Sequence, residues 1–338
     1  MKNLLISIYR HMIPEIVRRK YSEAMRDRRI ERANLRELEK CSFGDLNKDK
    51  TFYVIRVEQE QQWGLFSAYM AVVSSIKYAL DHGWIPVVDF KNYYLPLMQD
   101  VENRGRENAW NYYFEDLVPE FPLEQVYQSK NVILGSPRGL PHGDVEWKFG
   151  MDLYGKEFDV YHDIVRKYMH IKPELMDEAE RMYQEMFPAG QKVLGVAIRA
   201  GAYWGATLKR KVWENHTAGL NIEESITQIR IHLQRYGLQY FFLSCEDEYY
   251  VNRIKNEFGG SCFYMERPRY HFFDENGNPR PENFQVAGGN YGREITNTDY
   301  LKETLLLTKC DSFFGTKMGA SRAVFFLKDG RYEQAEVI

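Results

Sequence analysis

Hydrophobic and polar positions change period repeatedly along the chain, and each change marks an element. Residues 51–57, TFYVIRV, alternate well enough for a first strand. Gln61–Gly64 is a polar turn. Leu65–His82 then sets Ala, Val, Ile, Tyr and Met at helical spacing, with Gly83 as the closing residue. Trp84–Phe90, WIPVVDF, is a continuous apolar run of strand length. Strand, helix and strand in that order predict a β-α-β unit and a parallel sheet. Asn108–Asp116 reads as a short aromatic helix, Lys130–Gly135 as a strand, and Ser136–Asp144 as a loop rich in Pro and Gly. From about Lys156 to Phe187 the period is helical, with a break at Lys172-Pro173.

The second half alternates more regularly. Val193–Ile198 is a buried strand in which Gly195 and Ala197 allow close backbone packing. A helix follows at about 222–236, then strand Gln239–Ser244, a helix over Tyr249–Phe258 and strand Ser261–Met265. Arg267–Arg293 is a long loop, a length that usually signals function or mobility. A helix at about 298–309, strand Asp311–Gly315 and a last helix over SRAVFFL complete the pattern. The expected fold class is therefore α/β, with a doubly wound parallel sheet in the C-terminal half. FPAGQK, Phe187–Lys192, is the best boundary. It divides the chain into a basic helical segment (1–50), an α/β domain (51–187) and a second α/β domain (188–338).

Ligands of open α/β sheets bind outside the carboxyl ends of the strands. Three ends in the second half carry chemistry. Arg199 follows Ile198 and precedes Ala200, Gly201 and Ala202; its planar fork suits phosphate oxygens and the loop has no bulk. Ser244, Glu246, Asp247 and Glu248 follow the second strand, where a carboxylate can accept from a base or from sugar hydroxyls. Gly315–Ser321, GTKMGAS, joins a strand to a helix N-terminus, whose orphan N–H groups and dipole favour an anion. Singly, Ser244, Asp247, Thr316 and Ser321 read equally as helix caps. Together with Arg199 on one rim they point to a nucleotide diphosphate. Neither GxxxxGK[ST] nor GxGxxG is present.

Charge and cysteine usage narrow the classes. The 338 residues carry a formal net charge of −3, so nothing global points to nucleic acid. Residues 1–40 hold 11 Lys/Arg against 6 Asp/Glu, and this basic segment, with Leu, Ile and Tyr on one side, fits an anionic membrane surface. Its apolar stretch is broken by Arg10, His11, Pro14 and Glu15, unlike a signal peptide. The four cysteines have no metal spacing and read as buried thiols in a reducing compartment. The expected location is the cytoplasm, at the inner face of the membrane.

IRAGAY resembles the arginine-containing motif of the fucosyltransferase superfamily, which includes nodulation, core α-1,6 and protein O-fucosyltransferases. FFLSCED resembles its second motif, and LLLTKCDSFFGTKMGASRAVFFL its third. WIPVVDFKNYY, ENAWNYYFED, YQSKNVILGS and DGRYEQAEVI are similar to sections of bacterial capsule and surface-polysaccharide members, so the resemblance spans most of residues 52–338. It implies two Rossmann-like domains of GT-B type. It also implies a GDP-sugar donor, typically GDP-fucose, a glycan or lipid-linked glycan acceptor, and an inverting transfer with neither cofactor nor metal. Arg199 would take the donor diphosphate and act in catalysis. Gly201, Ser244, Glu246, Asp247, Thr316, Gly319, Ala320 and Ser321 would line the donor site. Gly64, Asp89, Glu115 and His216 would lie on the acceptor side or supply a base. The chain departs from the family at Ala197, Ala200 and Ala202 in the first motif and at Met318 in the third. Two alternatives stay open. One is a metal-dependent glycosyltransferase using Glu246-Asp247-Glu248. The other is a sugar-nucleotide-binding subunit of a polysaccharide assembly complex without turnover.

Overall fold

The computed structural model describes residues 38–57, 63–136, 154–200, 220–271, 273–277 and 292–338. Two sheets carry the chain. The first holds β1 (Glu39–Cys41), β2 (Phe52–Ile55), β3 (Ile85–Val88) and β4 (Val132–Leu134) in the order β1-β4-β2-β3. β2 pairs in parallel with both β3 and β4, and β1 runs antiparallel along β4. Helix α1 (Leu65–Asp81) makes the crossover from β2 to β3. It ends as the pattern requires: Gly83 adopts φ +70 just past the last turn, a conformation that costs glycine nothing. The aromatic stretch before Glu115 forms only a 3₁₀ turn, Ala109–Tyr112, with Asn108 accepting from the Trp110 N–H. Helices α2 (Lys156–Tyr168) and α3 (Pro173–Met186) lead to the second sheet, and Pro173 opens α3 where its missing N–H is harmless.

The second sheet is wholly parallel, in the order β7-β6-β5-β8-β9. Its strands are β5 (Val193–Ile198), β6 (Tyr240–Cys245), β7 (Cys262–Tyr264), β8 (Ser312–Gly315) and β9 (Ala335–Val337). The helices between them are α4 (Ile222–Tyr236), α5 (Glu248–Phe258), α6 (Arg293–Lys309) and α7 (Gly319–Leu327). Successive residues of β5 face opposite layers. Leu194, Val196 and Ile198 meet Ile226 and Ile229 of α4 and Val251 and Ile254 of α5. Val193 and Ala197 belong to a larger core containing Leu301 and Leu305–Leu307 of α6 and Ala323–Phe326 of α7. Gly195 is needed here because a Cβ would lie 3.2 Å from both Cys310 Cβ and Leu307 Cδ2. The larger core also takes in Leu65, Phe66, Ala68 and Tyr69 of α1 and Phe158 and Tyr161 of α2, so apolar packing is continuous from the first sheet to the second.

Four boundaries differ from the sequence reading. Residues 39–41, placed there in a basic helical segment, form β1 against β4. β9 is a fifth strand in the second sheet, hidden in a polar tail. α6 begins at Arg293, earlier than its apolar period. α7 begins at Gly319, so Gly319 and Ala320 are the first helical turn instead of a loop. Among the described residues no helix is long and apolar enough to cross a membrane. The basic stretch 1–37 lies outside the described residues.

Candidate functional site

The strand order of the second sheet reverses between β5 and β8, and that crevice is where an open α/β sheet presents a ligand site. Arg199 stands at its edge with a side chain 37% exposed. Its backbone N–H donates to Thr316 Oγ1 at 3.4 Å, and the Thr316 N–H donates to Ala197 O at 3.0 Å, so the ends of β5 and β8 are tied together. Thr316 itself is fully buried.

Glu246 closes the other side of Arg199. Its Oε1 accepts from the Ala200 N–H at 3.0 Å and lies 4.0 Å from Arg199 Nε. Burial raises its carboxyl above the ordinary glutamate range, against the opposing pull of Arg199. The neighbouring acids face elsewhere. Asp247 caps α5, accepting from the Tyr250 N–H at 3.1 Å, and Glu248 Oε2 lies 3.3 Å from His271 Nδ1. The three acids of the candidate metal motif therefore diverge. Among the described residues no group of His, Cys, Asp or Glu converges as a metal site.

Ser244 also has a structural partner: its Oγ donates to Glu303 Oε2 at 2.8 Å. Glu303, fully buried on α6, is the hub of a network that the sequence reading missed. Arg267 Nη2 donates to its Oε2 at 2.9 Å, and Arg269 Nη2 to its Oε1 at 3.1 Å. Burial opposes the charge on Arg267, but the Glu303 carboxylate outweighs it and holds the guanidinium further above its ordinary value. Arg269 also donates to the Cys245 and Met265 carbonyls, drawing the chain after β7 across the end of β6. Tyr270 and Glu246 then exchange backbone contact, with the Tyr270 N–H donating to Glu246 O at 2.9 Å. Arg199, Arg267 and Arg269 thus stand together at the carboxyl rim, with Glu246 and Glu303 between them. The signal lay in ERPRY (Glu266–Tyr270), a run dense in charge directly after a strand, and in Glu303, an acid just ahead of the apolar run Leu305–Leu307.

Two helix N-termini meet beside this cluster. α7 starts after Met318 and α1 after Gly64; neither N-cap residue caps its helix with a side chain, and neither first turn holds an acid. Gly319 packs on the backbone of Phe66, which brings the two positive dipole ends together from opposite halves of the chain. A Cβ on Gly64 would meet nothing within 4 Å, so its surroundings are open. Ala320 and Ser321 are buried in the first turn of α7, and Ser321 Oγ has no hydrogen-bond partner among the described residues.

Other predicted residues sit differently. Asp89 is fully buried and accepts from the Lys91 and Asn92 N–H groups, the Asn92 side chain and, at 2.6 Å, the Tyr127 hydroxyl. Glu115 is half exposed and lies 3.6 Å from His170 Nδ1. Gly201 and His216 lie outside the described residues.

No protein-family model and no curated protein matches the sequence. Among solved structures, the chain is similar to a fucosyltransferase NodZ from Bradyrhizobium, with TM-score 0.44 and 14% identity over 78% of this chain and 88% of that one. It is similar to a NodZ alpha-1,6-fucosyltransferase soaked with GDP-fucose at TM-score 0.44 and 12% identity, over 82% of this chain and 93% of the other. A third likeness is to POFUT1 in complex with GDP, with TM-score 0.37 and 11% identity over 85% and 73% of the two chains.

Proposed function

We propose that the chain is a glycosyltransferase of GT-B type, with an acceptor-side Rossmann-like domain over 51–187 and a donor-binding one over 188–338. It moves a deoxyhexose, fucose by the motif resemblance, from a GDP-sugar to a glycan hydroxyl with inversion and without a metal. Its place is surface-polysaccharide synthesis at the cytoplasmic face of the membrane, with the basic segment 1–40 on the lipid surface. The observation that carries the reading is the juxtaposition of Arg199, at the β5–β8 switch point, with the N-terminus of α7, which no side chain caps among the described residues.

In the proposed step the acceptor hydroxyl oxygen attacks the anomeric carbon from the face opposite the diphosphate. The bond from that carbon to the β-phosphate oxygen breaks, and the hydroxyl proton passes to a base. Negative charge grows on the departing GDP. Arg199 and the first N–H groups of α7 meet that charge; fixed donors of this kind are often the largest catalytic contribution. Glu246, an acceptor beside Arg199, fits the N–H groups of the guanine base. The burial that raises its carboxyl also strengthens any hydrogen bond it accepts.

A thermal-shift and titration series with GDP, GDP-fucose, GDP-mannose, UDP and UDP-sugars, each with and without Mn²⁺, tests the reading on the full chain and on Arg199→Ala. A ligand at about 100 times its Kd stabilises by about 2.7 kcal/mol. The expected result is a metal-independent shift with GDP species that is lost in Arg199→Ala. A response to UDP alone, or only with Mn²⁺, overturns it.

A further inference from the structure

The first turn of α7 has a neighbour that neither the motifs nor the strand ends announce. Tyr300 stands on α6, and its ring meets the Phe66 ring edge-on, with centroids 5.0 Å apart and planes at 85°. Its hydroxyl lies 3.8 Å from the sulfur of Met318, the residue that precedes α7. A thioether is a weak acceptor, so this partly buried phenol holds a strong donor with a poor partner. The charges that act on it are Arg199, Glu246, Glu303 and Arg267, which places it beside the arginines of the candidate site. Burial holds the phenol above its ordinary titration range, so it stays a donor at every working pH.

We propose that the Tyr300 hydroxyl donates directly to the diphosphate of the bound nucleotide, as the third element of an anion site whose others are Arg199 and the α7 N-terminus. The inference rests on the donor-site reading above and adds to it a residue from α6. Displacement of the weak contact to Met318 by a charged oxygen exchanges a poor acceptor for a strong one. Because the same ring packs on Phe66 of α1, occupancy of this site bears on the contact between the two halves of the chain as well as on the nucleotide.

Tyr300→Phe separates the donor role from packing, since the ring and its contact with Phe66 are kept. GDP is titrated into the full chain, into Tyr300→Phe and into Arg199→Ala, and the ligand-free melting midpoint of each is recorded. A hydrogen bond to a charged group contributes about 1.5–3 kcal/mol, which is about a tenfold to hundredfold loss of GDP affinity. The expected result is that loss in Tyr300→Phe with an unchanged ligand-free midpoint. Equal GDP affinity in Tyr300→Phe, with binding lost in Arg199→Ala, overturns the role of Tyr300 and leaves the donor site standing. Affinity lost together with ligand-free stability overturns it too, because the hydroxyl would then be structural. Failure of the unaltered chain to bind GDP overturns both.

Discussion

Gly319 rests directly on the backbone of Phe66. A Cβ at Gly319 would lie 3.0 Å from Phe66 Cβ, 3.2 Å from its carbonyl carbon and 3.3 Å from its carbonyl oxygen. These atoms belong to the first turn of α1 and have no flexible end that can swing aside. Gly319→Ala must therefore move one helix start relative to the other. The expected cost is about 1–3 kcal/mol, the range for overpacking a close contact. Chemical denaturation checks the stability. GDP titration checks the accompanying loss of affinity, which follows because the shifted turn is the proposed phosphate cradle.

Glu303 is the only carboxylate with which the described hydrogen bonds pair Arg267 and Arg269, and its side chain and both guanidiniums are at most 4% exposed. Removing one partner of a buried pair leaves an uncompensated charge, at about 3–5 kcal/mol. Glu303→Ala is expected to fall in this range by urea denaturation. Ser244→Ala, which loses one hydrogen bond to that carboxylate, should cost about 1–3 kcal/mol.

The Glu246 carboxyl titrates above its unfolded value because burial outweighs Arg199. A raised carboxyl means that the folded state binds the proton more tightly than the unfolded state does. Its stabilising contribution is present below the unfolded value of 4.5 and is lost as pH rises through the higher folded value. Glu246→Gln keeps an oxygen for the Ala200 N–H and removes the charge. It should melt higher than the parent at pH 7, and the difference should shrink toward pH 4. A binding assay should show the opposite sign: GDP affinity falls, because a neutral amide replaces the acceptor proposed for the guanine N–H groups.

Asp100 caps α6 from the first half of the chain. The Arg293 N–H lies 3.0 Å from each of its carboxylate oxygens, and Asn297 Nδ2 donates to Leu97 O nearby at 2.8 Å. Asp100→Ala is expected to cost about 1 kcal/mol, the usual loss of an N-cap. Hydrogen exchange should quicken at the first α6 amides.

The positions of elements were legible where a signal was local. Arg199 at the end of a buried strand is visible because a fixed cation directly follows six apolar or small residues. β5, β6 and α4 are equally plain, since their period runs unbroken between turn residues, and α4 carries its own capping box through Asn221 and Glu224. Remote partners hid the rest. The start of α6 is polar and is fixed by Asp100, 193 positions away in the chain. β1 and β9 are three residues each, and only the strands they pair with identify them. Ser244 and Asp247 look like ligands at a strand end, yet a buried acid from α6 and a helix N-terminus take them up. Tyr300 and Glu303 escaped because polar and apolar residues are spread around α6 with no segregated face.

The order β7-β6-β5-β8-β9 has a consequence for synthesis. β5 sits in the middle of the sheet, but its two neighbours come off the ribosome at very different times. β6 follows after one helix, whereas β8 appears only after β7, a long connection and α6. Until then one edge of β5, apolar on both faces, has unpaired backbone groups, the state in which parallel sheets attract other chains. Nascent chains stalled between β7 and β8 should therefore bind holdase chaperones most strongly. Slowing translation within that interval should lower the soluble yield without altering any property of the finished fold.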